Sequence, residues 1–213
     1  MLTLQNRLYL ASKSPRRREL LNQIGVNFEV ILLRDSSPTR RDVDESAMPN
    51  ELPKDYAIRI ARTKAEVAAL RMKDRHLPPL PVLSADTCVV LGEKIIGKPL
   101  NIEDAANTLR LLSGKIHQVL SAVAISYAGE TSTLLSATEV RFNTLSEEQI
   151  QQYVSSGEPL DKAGAYGIQG KAAMFISHIS GSYSGVMGLP LFETAELLRK
   201  IRFPLLTSIN KTV

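Results

Sequence analysis

The sequence predicts an α/β fold. Leu8–Leu33 reads as strand, helix, strand, and Ile116–Phe142 reads as an antiparallel strand pair around Gly129, with helical segments before and after it. Apolar residues make up 44% of the 213 and charged residues 23%, which is ordinary for a soluble globular chain. That length holds one domain with two lobes or two small domains. The second half, from about Asn101, reads as a lobe of its own, and the whole chain is expected to form one two-lobed domain.

Leu8, Tyr9, Leu10 and Ala11 suit a short buried strand. Ser12-Lys13-Ser14 makes a polar turn, and Pro15 fits the first helical position with Ser14 as N-cap. Leu20, Leu21 and Ile24 give that helix an apolar face, and Gly25 can end it. Arg16, Arg17 and Arg18 fall in the first turn, where the helix dipole is already positive. Three arginines beside exposed N–H groups suit a bound anion. The plainer alternative is three solvated arginines, each costing roughly a few tenths of a kcal/mol.

Phe28–Leu33 is the second strand. Arg34–Glu51 is polar, aperiodic and contains two prolines, so a mobile surface loop is expected. Within it Asp42, Asp44 and Glu45 cluster, either as solvated surface or as a metal-binding group. Pro53 to about Lys73 is a long helix whose buried stripe is Ala57, Ile60, Ala61, Ala65 and Ala68. Lys64 lies on that stripe. It either snorkels to the edge or turns an amine inward toward an anion.

His76–Pro81 is a proline-rich break. Val82–Leu91 reads as a buried strand that Asp86 interrupts, with a turn at Gly92-Glu93. A carboxylate in such a run either caps a strand end or acts as a ligand or base in a cleft. Thr87 and Lys98 add a hydroxyl and a cation nearby. Asn101–Ser113 is an amphipathic helix, and Ser146–Gln149 forms a capping box for a helix running to Gly157. Leu160–Gly170 has three glycines that let backbone approach a ligand, with Lys162 supplying charge and Gln169 a planar amide. Lys171–Ile179 is expected as a strand, Ser180–Ser182 as a turn and Leu189–Ile201 as a closing helix. His178 reads as structural.

Aromatics are 5% with no Trp, which disfavours an aromatic nucleic-acid platform, and a net charge of +4 suits anionic partners without demanding a polynucleotide. The single Cys88 allows no internal disulfide. Neither a secretory leader nor a membrane span is read, so a cytoplasmic protein is expected. HExxH, Walker A, GxSxG and CxxC are absent, so zincin, P-loop, α/β-hydrolase and thiol-redox chemistries lack their motifs.

LASKSPRRRELL, DVDE, RIARTKA, LSADTCV, GKP, LSGKIHQV, EPLDKAGAYGIQG and SGSYSGVMGLP occur in order, and together they resemble the Maf family of nucleoside triphosphate pyrophosphatases. Arg16, Thr87 and Gln169 are similar to the specificity trio of the branch acting on dTTP and UTP; the 7-methyl-GTP branch carries Trp, Gln and Glu. The resemblance implies a curved mixed sheet flanked by helices, with a cleft between two lobes. It implies Arg16, Lys64, Lys98 and Lys162 around a triphosphate, and Glu45 and Asp86 on Mg²⁺ or Mn²⁺. It also implies Asp86 as acceptor of a proton from water attacking the α-phosphorus. A carboxylate that also holds metal is a weak base, so orienting that water is the other role open to it. A homodimer is the assembly implied, with no membrane or stable nucleic-acid partner. The alternatives are a non-catalytic nucleotide or nucleic-acid binder that regulates division, and a pyrophosphatase of modified purines such as 7-methyl-GTP or ITP.

Overall fold

The computed structural model describes residues 6–34 and 42–205. Its elements, in order, are β1 (Leu8–Leu10), α1 (Pro15–Gln23), β2 (Phe28–Val30), α2 (Pro53–Asp74), β3 (Val82–Leu91), β4 (Lys94–Ile96), α3 (Ile102–Leu112), β5 (Ile116–Tyr127), β6 (Glu130–Phe142), α4 (Glu147–Val154), β7 (Ile176–Ser180), α5 (Tyr183–Met187) and α6 (Leu191–Lys200). The strands form one mixed sheet in the order β2-β1-β3-β5-β6-β7, with β4 added to β3. β1 runs parallel to β2 and β3; the other neighbours are antiparallel. No described helix is long and apolar enough to cross a membrane.

Strand alternation divides the core. On one face, Cys88, Val90, Leu120 and Ala122 meet Ala57, Ala61 and Ala65 of α2. The alanines on this stripe let α2 approach closely, and the Ser84 hydroxyl donates to the Ala61 carbonyl at 2.5 Å. On the other face, Leu83, Ala85, Val123 and Ile125 pack with Leu20 and Leu21 of α1 and Leu197 and Leu198 of α6. A separate cluster joins α3, α4 and the aromatic rings of Phe142, Tyr153, Tyr166 and Phe175. His117 is buried in it, its Nε2 2.8 Å from the Tyr166 hydroxyl, and burial holds its pKa down at about 4.

Helix starts follow the sequence. Asn101 accepts from the Asp104 N–H, and Ser146 and Gln149 form both halves of a capping box. Ser14 takes the cap position of α1 without a side-chain bond, so its hydroxyl leaves the first-turn N–H groups unoccupied. Three expectations change. Lys171–Phe175 is a 3₁₀ turn, and only Ile176–Ser180 is strand. There the Glu158 carboxylate takes the Lys171 N–H, and Ala172 and Phe175 bury at a spacing of three. β4 and α5 are unanticipated. β4 is three residues long, too short to show an alternation, and pairs back through the Gly92-Glu93 turn. α5 is one short turn beyond Ser182, whose hydroxyl accepts from the Gly185 N–H. Of the expected Arg34–Glu51 loop, residues 35–41 lie outside the described residues; the rest forms neither helix nor strand.

Gly164 tests this packing. Its φ is +70°, and a Cβ there would come within 2.7 Å of Val89 Cγ2. Gly164→Ala is expected to destabilise by about 2 kcal/mol or more in urea unfolding, since left-handed strain and overpacking act together. A loss under about 0.5 kcal/mol would show that the loop repacks freely.

Candidate active site

The site grows from a break in one hydrogen-bond ladder. Along one edge β3 pairs with β5 continuously from Val82 to Val90. Along the other it pairs with β1 only at Val82 and Leu83, and with β4 only at Val89–Leu91. Among the described residues, 84–88 therefore have no strand beside them on that edge. β1 stops at Leu10, and the chain turns through Ser12 into α1, which brings the helix start to one end of the gap. β4 stops at Ile96 opposite Val89, which brings Gly97 and Lys98 to the other end. Asp86 and Thr87 stand in the middle and, by strand alternation, face opposite sides of the sheet.

On the α2 side, Asp86 is only 8% exposed. Lys64 turns inward from the alanine stripe, and its Nζ donates to Asp86 Oδ1 at 2.8 Å. The same amine lies 2.9 Å from Glu45 Oε1. One ammonium thus gathers two carboxylates from distant parts of the chain. The segment carrying Glu45 is fixed from α2. The Tyr56 hydroxyl donates to the Glu45 carbonyl at 3.0 Å, and Arg59 donates to the Ser46 carbonyl at 2.9 Å. Burial, with the charges of Asp86 and Glu45, pushes the Tyr56 hydroxyl well above its ordinary pKa, so it stays a donor. Asp42 accepts from Arg71 at 2.7 Å and from the Arg34 side chain and N–H at 3.1 and 3.0 Å. Its burial alone would raise the carboxyl's pKa, but Arg71 and Arg34 outweigh that and hold it at about 2.

On the opposite side, Thr87 Oγ1 lies 3.0 Å from Ser121 Oγ, and the Ser121 hydroxyl donates to the Gly185 carbonyl at 2.6 Å. Arg17, rather than Arg16, reaches this face. It donates to the Gly188 carbonyl at 2.8 Å, to Ser12 Oγ at 3.0 Å and to Thr87 Oγ1 at 3.4 Å. Burial lowers the Arg17 pKa, and the negative charges of Asp86 and Glu45 oppose that. Within the arginine trio the sequence holds no signal for which one turns inward, because the helix rotation relative to β3 decides it. Ser121 was equally hidden: it matters only through its register opposite Thr87.

Arg16 sits with the glycine-rich loop. A Cβ on Gly167 would lie 2.8 Å from Lys162 Cε and 3.3 Å from Arg16 Nη1, so both cations border that glycine. Lys162 Nζ donates to the Glu158 carbonyl and to Asp161 Oδ1, each at 2.6 Å. The Gly164 N–H donates to the Gly97 carbonyl at 3.0 Å and ties this loop to the turn carrying Lys98. Lys98 and Gln169 are exposed and form no hydrogen bond or ion pair among the described residues. The structure thus brings Glu45, Lys64 and Asp86 together, and Arg16 beside Lys162. Thr87 lies across the sheet from Asp86.

Two chemistries can be weighed. The Cys88 thiol lies two residues from Asp86 on the same face, and burial and the Asp86 charge push its pKa up to about 12, which removes it as a nucleophile. Among the described residues no group of three or more His, Cys, Asp or Glu side chains converges as a metal cage. Two carboxylates do converge, on the Lys64 ammonium, and hard oxygens in that number suit a cation that takes its remaining ligands from water and substrate phosphates. A groove of about 760 Å³ between α2, β6 and α6, lined by Arg62, Ser132, Glu196 and Lys200 among others, holds none of the candidate residues.

Comparison with known proteins identifies the family. The family model described as Maf-like protein matches residues 7–201. A Dechloromonas aromatica protein named dTTP/UTP pyrophosphatase is 52% identical over 197 residues, which is 92% of this chain and 98% of that protein. One of the same name from Nitrosomonas europaea is 55% identical over 195 residues, 92% of this chain and 94% of its own. Another from Aromatoleum aromaticum is 53% identical over 206 residues, 96% and 100% respectively.

The anchoring of Glu45 through Asp42 has a pH signature. A folded-state pKa of about 2 lies below the unfolded value near 3.8, so Asp42 stabilises fully above about pH 4 and loses its effect as pH falls through 2. Asp42→Asn is expected to unfold at lower temperature than the wild type at pH 7, with the two curves converging near pH 2. An unchanged difference across that window would mean that the charge of Asp42 is not what holds the segment.

Proposed function

We propose that this chain, which belongs to the Maf family, hydrolyses dTTP and UTP to the nucleoside monophosphate and pyrophosphate. The observation that carries the chemistry is the pair of carboxylates, Asp86 and Glu45, gathered on Lys64 at the gap in β3. The substrate assignment comes from the relatives named dTTP/UTP pyrophosphatase, which match more than nine-tenths of the chain at about half identity.

In this proposal the triphosphate lies along the gap. The first-turn N–H groups of α1, which the Ser14 side chain does not cap, and the Arg16 guanidinium take phosphate oxygens, with Lys162 and Lys98 completing the cationic border. Asp86 takes a proton from the attacking water, whose oxygen bonds to the α-phosphorus as the α–β anhydride bond breaks. Pyrophosphate leaves with the electron pair of that bond, and the lysines and Arg16 neutralise its charge. Glu45 and Asp86 would hold Mg²⁺ or Mn²⁺, which when bound supplies further positive charge against the phosphates. Lys64 holds both carboxylates in register before substrate arrives. Thr87 and Gln169, with Arg16 beside the loop that carries Gln169 and Arg17 on Thr87, fit recognition of the edge shared by uracil and thymine. Arg17 adds rigidity there because it joins Ser12, Thr87 and Gly188 in one network.

Pyrophosphate release from dTTP, UTP, CTP, 7-methyl-GTP and ITP, with Mg²⁺ or Mn²⁺ and with chelator, tests this. Turnover of dTTP and UTP that stops with chelator is expected. Turnover confined to ITP or 7-methyl-GTP would discard the pyrimidine assignment. Asp86→Asn is expected to lower kcat by at least about a hundredfold with its fold retained by circular dichroism; normal turnover would remove Asp86 from the chemistry. Gln169→Glu is expected to reduce the preference for dTTP over CTP by about tenfold, as an acceptor-only carboxylate replaces an amide that donates and accepts. An unaltered preference would remove Gln169 from base reading.

A further inference from the structure

Gln169 is exposed, yet the turn that carries it is fastened at its exit by the Glu158 carboxylate. The Gly170 N–H donates to the Gly167 carbonyl at 3.0 Å and closes the turn. Tyr153 belongs to α4 and is 3% exposed, its ring edge-on to Phe175 with centroids 5.2 Å apart. Its hydroxyl donates to Glu158 Oε1 at 3.0 Å. At the exit of the turn, the Lys171 N–H donates to the other oxygen, Glu158 Oε2, also at 3.0 Å. The phenol therefore holds the carboxylate, and the carboxylate holds the exit of the turn: Tyr153 O–H, Glu158, Lys171 N–H.

Gly170 confirms how tight the brace is. A Cβ there would lie 2.1 Å from Glu158 Oε1, so the carboxylate passes directly over that residue. The same Glu158 accepts Lys162 Nζ on its backbone carbonyl at 2.6 Å. Burial and the nearby Glu158 charge keep the Tyr153 hydroxyl protonated and able to donate. Among the described residues Gln169 has no partner to set its direction, and an unheld amide reads a planar edge poorly because ordering it on binding is unfavourable. What fixes it must act on the backbone of the turn.

We propose that Tyr153 and Glu158 are positioning residues that hold the Gly167–Gly170 turn so that Gln169 meets the pyrimidine base. This rests on the assignment of Gln169 to base recognition made above. Neither side chain reaches substrate; both act through the turn.

The test is steady-state turnover of dTTP, UTP and CTP by the full chain, with Tyr153→Phe, Glu158→Gln, Gln169→Ala and the Tyr153→Phe/Gln169→Ala pair. Tyr153→Phe keeps the ring and its packing and removes only the hydroxyl's bond to Glu158. Glu158→Gln places an amide where two donors need a carboxylate. For each, KM for dTTP and UTP is expected to rise about tenfold with kcat within about twofold, and the preference over CTP is expected to fall about tenfold. The double variant is expected to discriminate no worse than Gln169→Ala alone, because both changes remove one interaction. A folded Tyr153→Phe with the wild-type base preference would overturn the proposal. So would an equal loss on all three substrates, or additive losses in the double variant, since either marks a general structural role. A wild type that discriminates among the bases while Gln169→Ala does so equally would instead overturn the assignment of Gln169, and this proposal with it.

Discussion

The gap in the outer ladder of β3 is the constraint on which the site depends. A strand in the middle of a sheet normally has both edges satisfied, and a break of five residues leaves backbone groups that need other partners. Here the break opens one strand from both faces. Asp86 serves the α2 side and Thr87 the α1 side, and α1 begins where β1 ends. The shortness of β1 and β4, three residues each, keeps the gap open: either strand extended by one pairing would begin to close it.

Charge placement follows from that opening. Asp86 is nearly buried, and a carboxylate there is tolerated because Lys64 meets it at 2.8 Å. Lys64 in turn satisfies Glu45, so the isolated pair becomes a three-group cluster with a cation at its centre. The segment carrying Glu45 is then secured from α2 by Tyr56, Arg59 and Arg71, spread along one helix. A long helix with an alanine-rich stripe is what allows this: small residues bring the helix against the sheet, and Lys64, the charged residue on the stripe, reaches the strand.

Much of this was legible in the sequence. Asp86 interrupting an apolar run, Lys64 on an apolar stripe and arginines in a first helical turn each break a local rule, and such breaks mark sites. The boundaries of β3 and β5 and the capping box at Ser146 follow directly from alternation and cap chemistry. What stayed hidden depends on distance in space. The Lys171–Phe175 turn follows from a carboxylate thirteen residues earlier, which no local pattern encodes. The inward turn of Arg17 and the pairing of Thr87 with Ser121 need the helix rotation and the strand register. β4 was missed because three residues carry too little pattern to be distinguished from a turn.

The central claim is that water attacks the α-phosphorus at the Asp86 centre. The most direct measurement is turnover of dTTP in water enriched in ¹⁸O, with mass spectrometry of both products. The account predicts one labelled oxygen in the thymidine monophosphate and none in pyrophosphate. Label in pyrophosphate, or release of orthophosphate, would place the attack at another phosphorus and contradict it.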